Sequence, residues 1–383
     1  MIAFPTQKYV VAFVSNSAWS VYNFRGDVIK SLIDQGFQVV AIAPKDEYYL
    51  KLENLGCRFV PVEFNNKKTN PFSDIHLYFK LKSIYSSIRP NFIFHYVIKP
   101  NIYGTLAARS LNIPSISVVT GLGYSFAKKN WLFRVVKRLY KHSLKYASEV
   151  WFLNNDDATV FLNEKISRIN KIKVLPGEGI NIAHFLPNRN RINQKKFTFL
   201  MSSRLLKSKG VGLYADAAMV LRKKNYDVQF DLLGFFEKNH PDSITEFDLA
   251  KWQEDGLIRY HGFVRDVRPF LKNTDCFVFP SYYREGIPRC LMEAASMEVP
   301  VITSQQRGCR EVVLNNITGY LCQENNPLDL ADKMEKMINL SDHDLDQMGK
   351  NGRQLMYRKF NVEQICDIYK QAISAQISIS QPD

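Results

Sequence analysis

Short apolar segments alternate with helical patterns along almost the whole chain, and this alternation limits the folds open to it. Tyr9–Val14 is an apolar run, Val28–Gln35 has a helical pattern, Gly36 ends it, and the apolar "FQVVAIAP" follows. Later apolar segments, separated by helical stretches, are "FIFHYV" (92–97), "SISVVT" (115–120) and "EVWFLN" (149–154). Strands alternating with helices are typical of a parallel sheet covered by helices.

The alternation is interrupted once, by the polar and basic stretch "HFLPNRNRINQKK" (184–196), which we interpret as a linker. It then resumes with "FTFLMSS", "QFDLLG", "IRYHGF", "CFVFP" and "PVITS". A length of 383 residues also suits two domains. The sequence therefore predicts an α/β protein of two doubly wound, Rossmann-like domains facing a cleft, with ligands at the carboxyl ends of the strands. We expect domains over 1–187 and 188–358, with a helix and tail over 359–383 that cross back to the first domain.

Charge and composition exclude several classes of protein. The formal charge is +14, and residues 1–185 carry 24 Lys and Arg against 12 Asp and Glu, which is +12. One basic surface on the first half explains this better than nucleic-acid binding, for which no motif is present. No segment has the ~20 apolar residues of a membrane span, and no signal peptide is recognisable. The six scattered cysteines predict reduced thiols in a cytoplasmic protein.

The stretch "REGIPRCLMEA" places two carboxylates, Glu285 and Glu293, around the start of a helix. It follows the apolar strand "CFVFP", and Pro288 suits the first turn of a helix running on to Pro300. Amides at such a helix start attract an anion such as a phosphate, and carboxylates accept hydrogen bonds from sugar or ribose hydroxyls. The alternative is that Glu285 neutralises the helix end and Glu293 is solvated.

"EGIPRCLMEA" resembles the E-x7-E motif of retaining glycosyltransferase family 4, whose fold is called GT-B. Other stretches resemble family segments in the same order, and together they cover nearly all of residues 174–321. They are "LPGEGINIAHF" (175–185), "SSRLLKSKG" (202–210), "YHGFVRDVRPFLKNTDCFVFPS" and "RGCREVVLNNITGYL" (307–321).

The resemblance implies roles for particular residues of the second half. Arg204 and Lys209 would hold the donor diphosphate, whose negative charge grows as it leaves, and with Glu285 they would form the catalytic set. Glu285 would contact the donor sugar and Glu293 the ribose hydroxyls. The remaining donor-binding residues would be Gly234, Gly286, Ile287, Pro288 and Arg289. For Arg204, Lys209 and Gly234 the alternatives are solvated loop cations and a turn glycine.

The first half resembles a narrower branch, which extends undecaprenyl-diphosphate-linked sugars in capsule, O-antigen or bacterial N-glycan assembly. "VSNSAWSVYNFR", "HYVIKPNIYGTLAAR" and "VVTGLGYSF" carry this resemblance. The chain departs from the family at "NSAWS", where many members have Gly-Gly, and at Thr120–Gly121, where many have a histidine. Candidate acceptor contacts are Asn23, Arg25, His95, Lys99 and Thr120. A core histidine, a helix N-cap and an interdomain ion pair are the structural alternatives for His95, Asn23 and Arg25.

Residues 128–146, "KKNWLFRVVKRLYKHSLKY", predict an amphipathic helix without any acid. At about 100° per residue its basic side chains share one arc of roughly 100°; they are Arg134, Lys137, Arg138, Lys141 and Lys145. We expect this arc to meet an anionic membrane surface, with Trp131 and Phe133 entering the interface. The alternative is an ordinary amphipathic helix with its basic face in water.

"SDHDLDQMG" (341–349) imitates a metal-binding pattern, but Ser341 suits an N-cap and acids suit the first turn of a helix. We therefore expect no metal and no cofactor.

The sequence predicts a retaining glycosyltransferase that moves a hexosamine or hexose from a nucleotide-diphosphate donor, with UDP favoured, to a lipid-linked glycan. Its place would be the inner face of the cytoplasmic membrane, as a peripheral protein. Two alternatives are a GT-B enzyme without transfer, such as a nucleotide-sugar epimerase, and a nucleic-acid-binding protein.

Overall fold

Two parallel β-sheets organise the chain, each in its own compact unit. The computed structural model describes residues 9–64, 71–122, 126, 131–187, 196–237 and 240–380. Packing divides the chain into two units. The first comprises Met1–Gly179 and Val362–Asp383, and the second comprises Ile180–Asn361. The domain boundaries expected from the sequence were between residues 187 and 188 and between residues 358 and 359. Helix α13 (Val362–Ser380) packs in the first unit, against the helix that follows the first strand.

The first sheet has seven strands in the order β3-β2-β1-β4-β5-β6-β7, all paired in parallel. They are β1 (Val10–Val14), β2 (Gln38–Ala43), β3 (Arg58–Pro61), β4 (Phe92–Tyr96), β5 (Ser115–Val119), β6 (Glu149–Phe152) and β7 (Ile172–Val174). Its helices before α13 are α1 (Ala18–Asp34), α2 (Tyr49–Asn54), α3 (Pro71–Ile88), α4 (Thr105–Ser110), α5 (Trp131–Ser143) and α6 (Asn155–Asn163).

The second sheet has six strands in the order β10-β9-β8-β11-β12-β13, again all parallel. They are β8 (Phe197–Ser202), β9 (Val228–Leu233), β10 (Arg259–Tyr260), β11 (Cys276–Phe279), β12 (Val301–Ser304) and β13 (Gly319–Cys322). Its helices are α7 (Val211–Lys223), α8 (Glu246–Glu254), α9 (Arg268–Leu271), α10 (Arg289–Ser296), α11 (Pro327–Ile338) and α12 (Asp342–Leu355). The prediction of two doubly wound α/β domains is thus confirmed.

Helices cover both faces of the first sheet, and each face has its own apolar core. One core joins α1, α2 and α13 to the sheet. On the other side, α3 and α4 pack over β1, β2 and β4, while α5 and α6 pack over β5 and β6. The second unit has one large core around β8, β11 and β12. Because the central strands are buried on both faces, they read as continuous apolar runs.

Three strands were not predicted from the sequence, and all three lie at sheet edges. β3 and β7 flank the first sheet, and β13 ends the second. Strands β3 and β7 bury little, so their apolar signal is weak; "IKV" in β7 is only half-buried throughout. Strand β13 is mostly buried, but it has only four residues and begins with a glycine. Among the described residues, no helix has the length and apolar character needed to cross a bilayer.

Candidate functional site

The candidate donor site lies at the carboxyl edge of the second sheet. Strands β8 and β11 are parallel neighbours, so the loops that follow them emerge at the same edge. The loop after β8 carries Arg204 and Lys209, and the loop after β11 carries Glu285. Chain segments more than 70 residues apart therefore meet where such sheets bind their ligands.

Lys209 and Glu285 form an ion pair in this place, with the Lys209 ammonium donating to Glu285 Oε1. Only 8% of the surface of Lys209 is exposed, and its Nζ lies 5.0 Å from the centre of the Tyr283 ring. Gly210 follows with φ +82°, and a Cβ there would lie 2.4 Å from the Pro280 carbonyl oxygen. A glycine is therefore needed for this loop to pack against the end of β11.

Glu285 has a second partner, the fully buried Ser281, whose Oγ lies 2.9 Å from Glu285 Oε1. Ser281 is held in turn by Ser304 at the end of β12, whose hydroxyl donates to the Ser281 carbonyl oxygen. The carboxylate that would face the donor sugar is thus oriented by one ammonium and one hydroxyl.

The loop that carries Lys209 is fixed from a third direction by Asp242. The Ser208 amide donates to Asp242 Oδ2 over 2.9 Å, and the Lys207 amide donates to the Asp242 carbonyl oxygen over 2.7 Å. The Ser208 carbonyl oxygen accepts from the Tyr282 amide at 3.0 Å. These bonds join the two loops directly and hold Lys209 beside Glu285.

Glu293 lies on α10, one turn after Arg289, whose Nε donates to Glu293 Oε1 over 3.0 Å. The Glu293 side chain is 19% exposed. Burial raises the pKa of its carboxyl above the ordinary value, and the neighbouring Arg289 offsets part of that rise. The carboxylate therefore carries a desolvation cost that a hydroxyl-rich ligand would relieve.

Helix α10 differs in detail from its sequence prediction. Pro288 is the N-cap residue rather than a residue of the first turn, and the helix ends at Ser296 instead of running on towards Pro300. No side chain caps its amino end. Such an end presents amide donors that a phosphate can accept from.

Gly286 is locked in place by Gly308, which lies in the turn after β12. Gly308 has φ +76°, and a Cβ there would lie 1.4 Å from the Gly286 carbonyl oxygen. This contact leaves no room for a side chain, so Gly308 sets how the loop enters α10. Ile287, the next residue, is buried in the core of the second unit.

Arg204 and Gly234 lie at the same edge without joining the Lys209 pair. The Arg204 guanidinium is exposed and lies 2.6 Å from a Glu237 carboxylate oxygen. Gly234 ends β9 with φ +156°, and a Cβ there would lie 1.9 Å from the Ser203 carbonyl oxygen. The close approach of the Ser203 backbone therefore leaves no room for a side chain at position 234, which agrees with the alternative that Gly234 is a turn glycine.

Of the acceptor candidates in the first unit, Asn23 and Arg25 lie on α1 rather than in a loop. Ser17 caps this helix by accepting from the Ser20 amide, so α1 begins well before the periodic segment found by sequence. Arg25 is buried and paired with Glu178, and its guanidinium lies 4.1 Å from the Tyr96 ring centre. Arg25 thus forms an ion pair, as the structural alternative expects, but both partners lie in the first unit and the pair is not interdomain.

His95 is completely buried in β4. Its Nε2 lies 3.0 Å from the Tyr85 hydroxyl and its Nδ1 lies 3.3 Å from the Thr105 hydroxyl. Burial lowers the pKa of His95 to about 3, so the ring is neutral at physiological pH. This is the environment of a core histidine, and it argues against direct contact with a substrate.

Lys99 and Thr120 remain near solvent at the carboxyl ends of β4 and β5. The Lys99 Nζ lies 2.8 Å from Asp74 Oδ1, and the Tyr103 hydroxyl donates to Asp74 Oδ2 over 3.0 Å. Val97, just before Lys99, has φ +63°, which is unusual for a β-branched residue. Strained backbone of this kind gathers at functional sites.

Helix α5 has the basic face that the sequence predicts, with two changes. Arg134, Arg138, Lys141 and Lys145 are exposed, whereas Lys137 pairs with Glu164. Phe133 is buried in the core, so it is not available to a membrane, while Trp131 and Val135 are exposed. Residues 128–130 lie outside the described part of the chain.

The acidic segment at α12 behaves as a helix start. Ser341 accepts from the Asp344 amide over 3.1 Å, which is N-cap geometry. Within the described residues no group of three or more His, Cys, Asp or Glu is placed to hold a metal ion.

Sequence reasoning missed Ser281, Asp242, Tyr283 and Gly308. None of these has a pattern of its own, because each acts through a contact with a residue distant in the chain. Ser281, at the end of a buried strand and four residues before Glu285, had the strongest available signal.

Both halves of the chain match known protein families, and most of the chain resembles known enzymes. The family described as "Glycosyl transferases group 1" matches residues 184–355, and "Glycosyl transferase 4-like" matches residues 10–154. The chain is 32% identical over 344 residues to N,N'-diacetylbacillosaminyl-diphospho-undecaprenol alpha-1,3-N-acetylgalactosaminyltransferase of Campylobacter jejuni, covering 86% of this chain and 89% of that protein. It is 28% identical to UDP-Gal:alpha-D-GlcNAc-diphosphoundecaprenol alpha-1,3-galactosyltransferase of Escherichia coli, covering 71% and 73%.

Solved structures agree on the fold. A glycosyltransferase from Rickettsia africae superposes with a TM-score of 0.81 at 20% identity, over 97% of this chain and 99% of that one. Anabaena HepE in complex with UDP gives a TM-score of 0.79 at 18% identity, over 96% and 100%. The chain therefore belongs to the glycosyltransferase family identified from its sequence motifs, and it is a glycosyltransferase with the GT-B fold.

Proposed function

We propose that this enzyme transfers a hexosamine or hexose, with retention of anomeric configuration, from a UDP-sugar to a lipid-linked glycan. The pathway is the assembly of a bacterial surface polysaccharide or glycan. The observation that carries the proposal is the cluster at the carboxyl edge of the second sheet. There Lys209, Glu285 and the start of α10 offer a buried cation, an oriented carboxylate and uncapped amides.

Each part of this cluster fits one part of a nucleotide sugar. The Lys209 ammonium and the amides of Gly286, Ile287 and Arg289 bind the diphosphate, because cations and helix starts stabilise an anion that gains charge as it leaves. Glu285 accepts hydrogen bonds from the donor sugar, and Glu293 accepts them from the ribose. Arg204, exposed at the same edge, adds a second cation once it exchanges Glu237 for phosphate.

The reaction then balances without a covalent nucleophile from the protein. The acceptor oxygen forms a bond to the anomeric carbon on the side from which the diphosphate departs. The bond from that carbon to the diphosphate oxygen breaks, and the acceptor proton passes to the departing diphosphate. Lys209 stabilises the growing negative charge throughout this step.

The choice of acceptor is supported by the relatives. The names of the Campylobacter and Escherichia enzymes specify undecaprenol-diphosphate acceptors, and the latter name also specifies UDP-Gal. We assign the acceptor to the first unit, where Lys99 and Thr120 stand at the carboxyl ends of β4 and β5.

A lipid-linked acceptor places the enzyme at the inner face of the cytoplasmic membrane. The three exposed cations of α5, together with Lys145 in the turn that follows it, fit an anionic lipid surface, at about 1 kcal/mol for each basic residue near it. Changing Arg134, Arg138, Lys141 and Lys145 to Gln should strongly weaken sedimentation with anionic vesicles at low salt. If that variant sediments like wild type, α5 is not the contact.

A donor screen followed by transfer tests the reaction. The enzyme is incubated with UDP-, GDP- and dTDP-sugars, first alone and then with undecaprenyl-diphosphate-linked saccharides. We expect transfer from a UDP-sugar and a product that keeps the α linkage by NMR. Epimerised sugar from the donor alone would favour an epimerase, and a β-linked product would exclude retention.

A further inference from the structure

The first turns of α3 carry an exposed apolar stripe that the reaction does not use. Phe72, Ile75 and Phe79 are 82%, 54% and 60% exposed. At about 100° per residue they fall within roughly 60° of the helix circumference. Single exposed apolar residues are ordinary, but three aligned ones including two phenylalanines mark an interaction surface.

The charged residues of α3 that border this stripe have one sign, and the exposed Glu63, before the helix, lines a pocket with His76 and Lys80. Lys82 flanks it on one side, and Lys80 with the polar His76 flanks it on the other. The only acid on α3, Asp74, lies on the far side of the helix, where it is engaged by Lys99 and Tyr103. An apolar stripe bordered by cations is the pattern of a helix that lies in the interface of an anionic membrane.

The position of α3 in its unit agrees with that pattern. Its amino end follows β3, so the stripe stands at the carboxyl edge of the first sheet, the edge that also carries Lys99. Helices α3 and α5 cover the same side of the sheet, and both pack against the π-helical turn Pro100–Gly104 between them. The exposed Trp131 and cations of α5 therefore belong to the same side of this unit.

We propose that Phe72, Ile75 and Phe79 insert into the acyl boundary of an anionic bilayer, as a second membrane contact beside the basic face of α5. This inference rests on the proposed lipid-linked acceptor, which lies at that surface. The two contacts contribute differently: the basic face of α5 attracts the enzyme to the anionic bilayer through charge, and the apolar stripe of α3 keeps it bound through burial in the bilayer. Burial of three large side chains persists in salt, whereas attraction between exposed charges does not.

This division gives a direct test with vesicles of phosphatidylglycerol and phosphatidylcholine. At 1 M salt the Debye length falls to about 3 Å, so the charge component is screened. Wild type should then retain measurable binding, and Phe72→Ser/Ile75→Ser/Phe79→Ser should bind roughly tenfold or more weakly. Lys80→Gln/Lys82→Gln should weaken binding only at low salt. Phe247→Ser on α8, where the ring is 76% exposed in the other unit, is the matched control and should bind like wild type.

A second measurement keeps the proposal testable if the triple variant fails to fold. Phe72→Trp should show more quenching by lipids brominated near the headgroup end of the acyl chain than wild type, whose exposed Trp131 lies on the same side of the unit. Quenching no greater than that of wild type while the protein is vesicle-bound would overturn the proposal, as would a triple variant that binds like wild type at 1 M salt. A concentration-dependent dimer that the same triple change dissolves would instead assign the stripe to a second copy of the chain.

Vesicle binding needs no turnover, so these results stand apart from the proposed reaction. If no sugar transfer is found but the stripe still binds lipid, only the reaction fails. If transfer to a detergent-dispersed acceptor is normal in a triple variant that still binds vesicles at 1 M salt, only the stripe fails.

Discussion

Lys209 and Glu285 lie 76 residues apart in the chain and form a nearly buried ion pair at the carboxyl edge of the second sheet. The pair is the donor-free arrangement of two groups that we assign to different parts of the donor. An arriving diphosphate offers Lys209 a stronger anion and releases Glu285 to the sugar hydroxyls. The pair keeps both charges satisfied until then, since an unpaired buried charge is costly.

Lys209→Ala should lower kcat by roughly 100- to 1,000-fold, because the ammonium is needed most as the diphosphate leaves. The same change leaves Glu285 without its cation, so some loss of thermal stability is also expected. Lys207→Ala is the matched control, since Lys207 is exposed on the same short turn. Turnover near the wild-type value in folded Lys209→Ala would mean that the diphosphate is held elsewhere.

Glu293→Gln should weaken donor binding and stabilise the donor-free protein. A charge-assisted hydrogen bond is worth about 1.5–3 kcal/mol, so affinity should fall roughly 10- to 150-fold by calorimetry. Burial raises the pKa of Glu293 in the folded state, so the fold favours its protonated form. That contribution is present at low pH and is lost as pH rises through the raised pKa.

At neutral pH the ionised Glu293 therefore costs stability, and the neutral amide removes that cost. The melting temperature of Glu293→Gln at pH 7 should exceed that of wild type. Glu254→Gln, at an exposed position of α8, should change neither quantity. Unchanged nucleotide affinity in the folded variant would remove Glu293 from the site.

Ser281→Ala should reduce kcat with little effect on nucleotide affinity. The Ser281 hydroxyl donates to Glu285, and we assign it no role in holding the diphosphate, so its loss should loosen the sugar contact rather than the diphosphate contact. We expect a fall of roughly tenfold, the value of one hydrogen bond of about 1.5 kcal/mol. Ser281→Thr, which keeps the hydroxyl, tests for rescue. An equal loss of UDP affinity in the alanine variant would contradict a positioning role.

Transfer should continue in EDTA. In the proposed reaction the diphosphate charge is met by Lys209, Arg204 and the amino end of α10, which would supply what a divalent ion otherwise supplies. Rates with EDTA and with added Mg²⁺ or Mn²⁺ should agree within error. Loss of activity in EDTA with recovery on Mn²⁺ would show that this expectation is wrong.

His95 should make the first unit sensitive to acid. Its folded pKa of about 3 lies below the ordinary value, so the stability contributed by the neutral ring is complete above pH ~6.5 and is lost as pH falls towards 3. One proton taken up on unfolding corresponds to about 1.4 kcal/mol per pH unit. His95→Asn should be less stable at pH 7 but should lose less stability between pH 6 and pH 5.

The measurement is chemical unfolding at both pH values. His343→Asn is the control, because the His343 side chain is 87% exposed. Identical pH slopes for wild type and His95→Asn would contradict the neutral, buried assignment.

Much of the fold could be predicted from the sequence, because strands buried on both faces leave continuous apolar runs and helices leave a 3.6-residue period. The order of those elements was enough to predict two parallel sheets. The edge strands β3 and β7 were missed because they bury little, and β13 was missed because it is four residues long and begins with a glycine. The start of α1 was missed because Ser17, a single capping residue, decides it.

The sequence by itself was enough to predict which residues carry donor chemistry, since Lys209, Glu285 and Glu293 stand in motifs of fixed local spacing. Only the tertiary structure decided what those and other residues contact. The pairing of Lys209 with Glu285 requires β8 and β11 to be neighbours, which no local pattern specifies. The burial of His95 and the exposure of Phe72 and Phe79 likewise depend on which helices cover each sheet face. Local sequence encodes periodicity, whereas burial and pairing depend on segments distant in the chain.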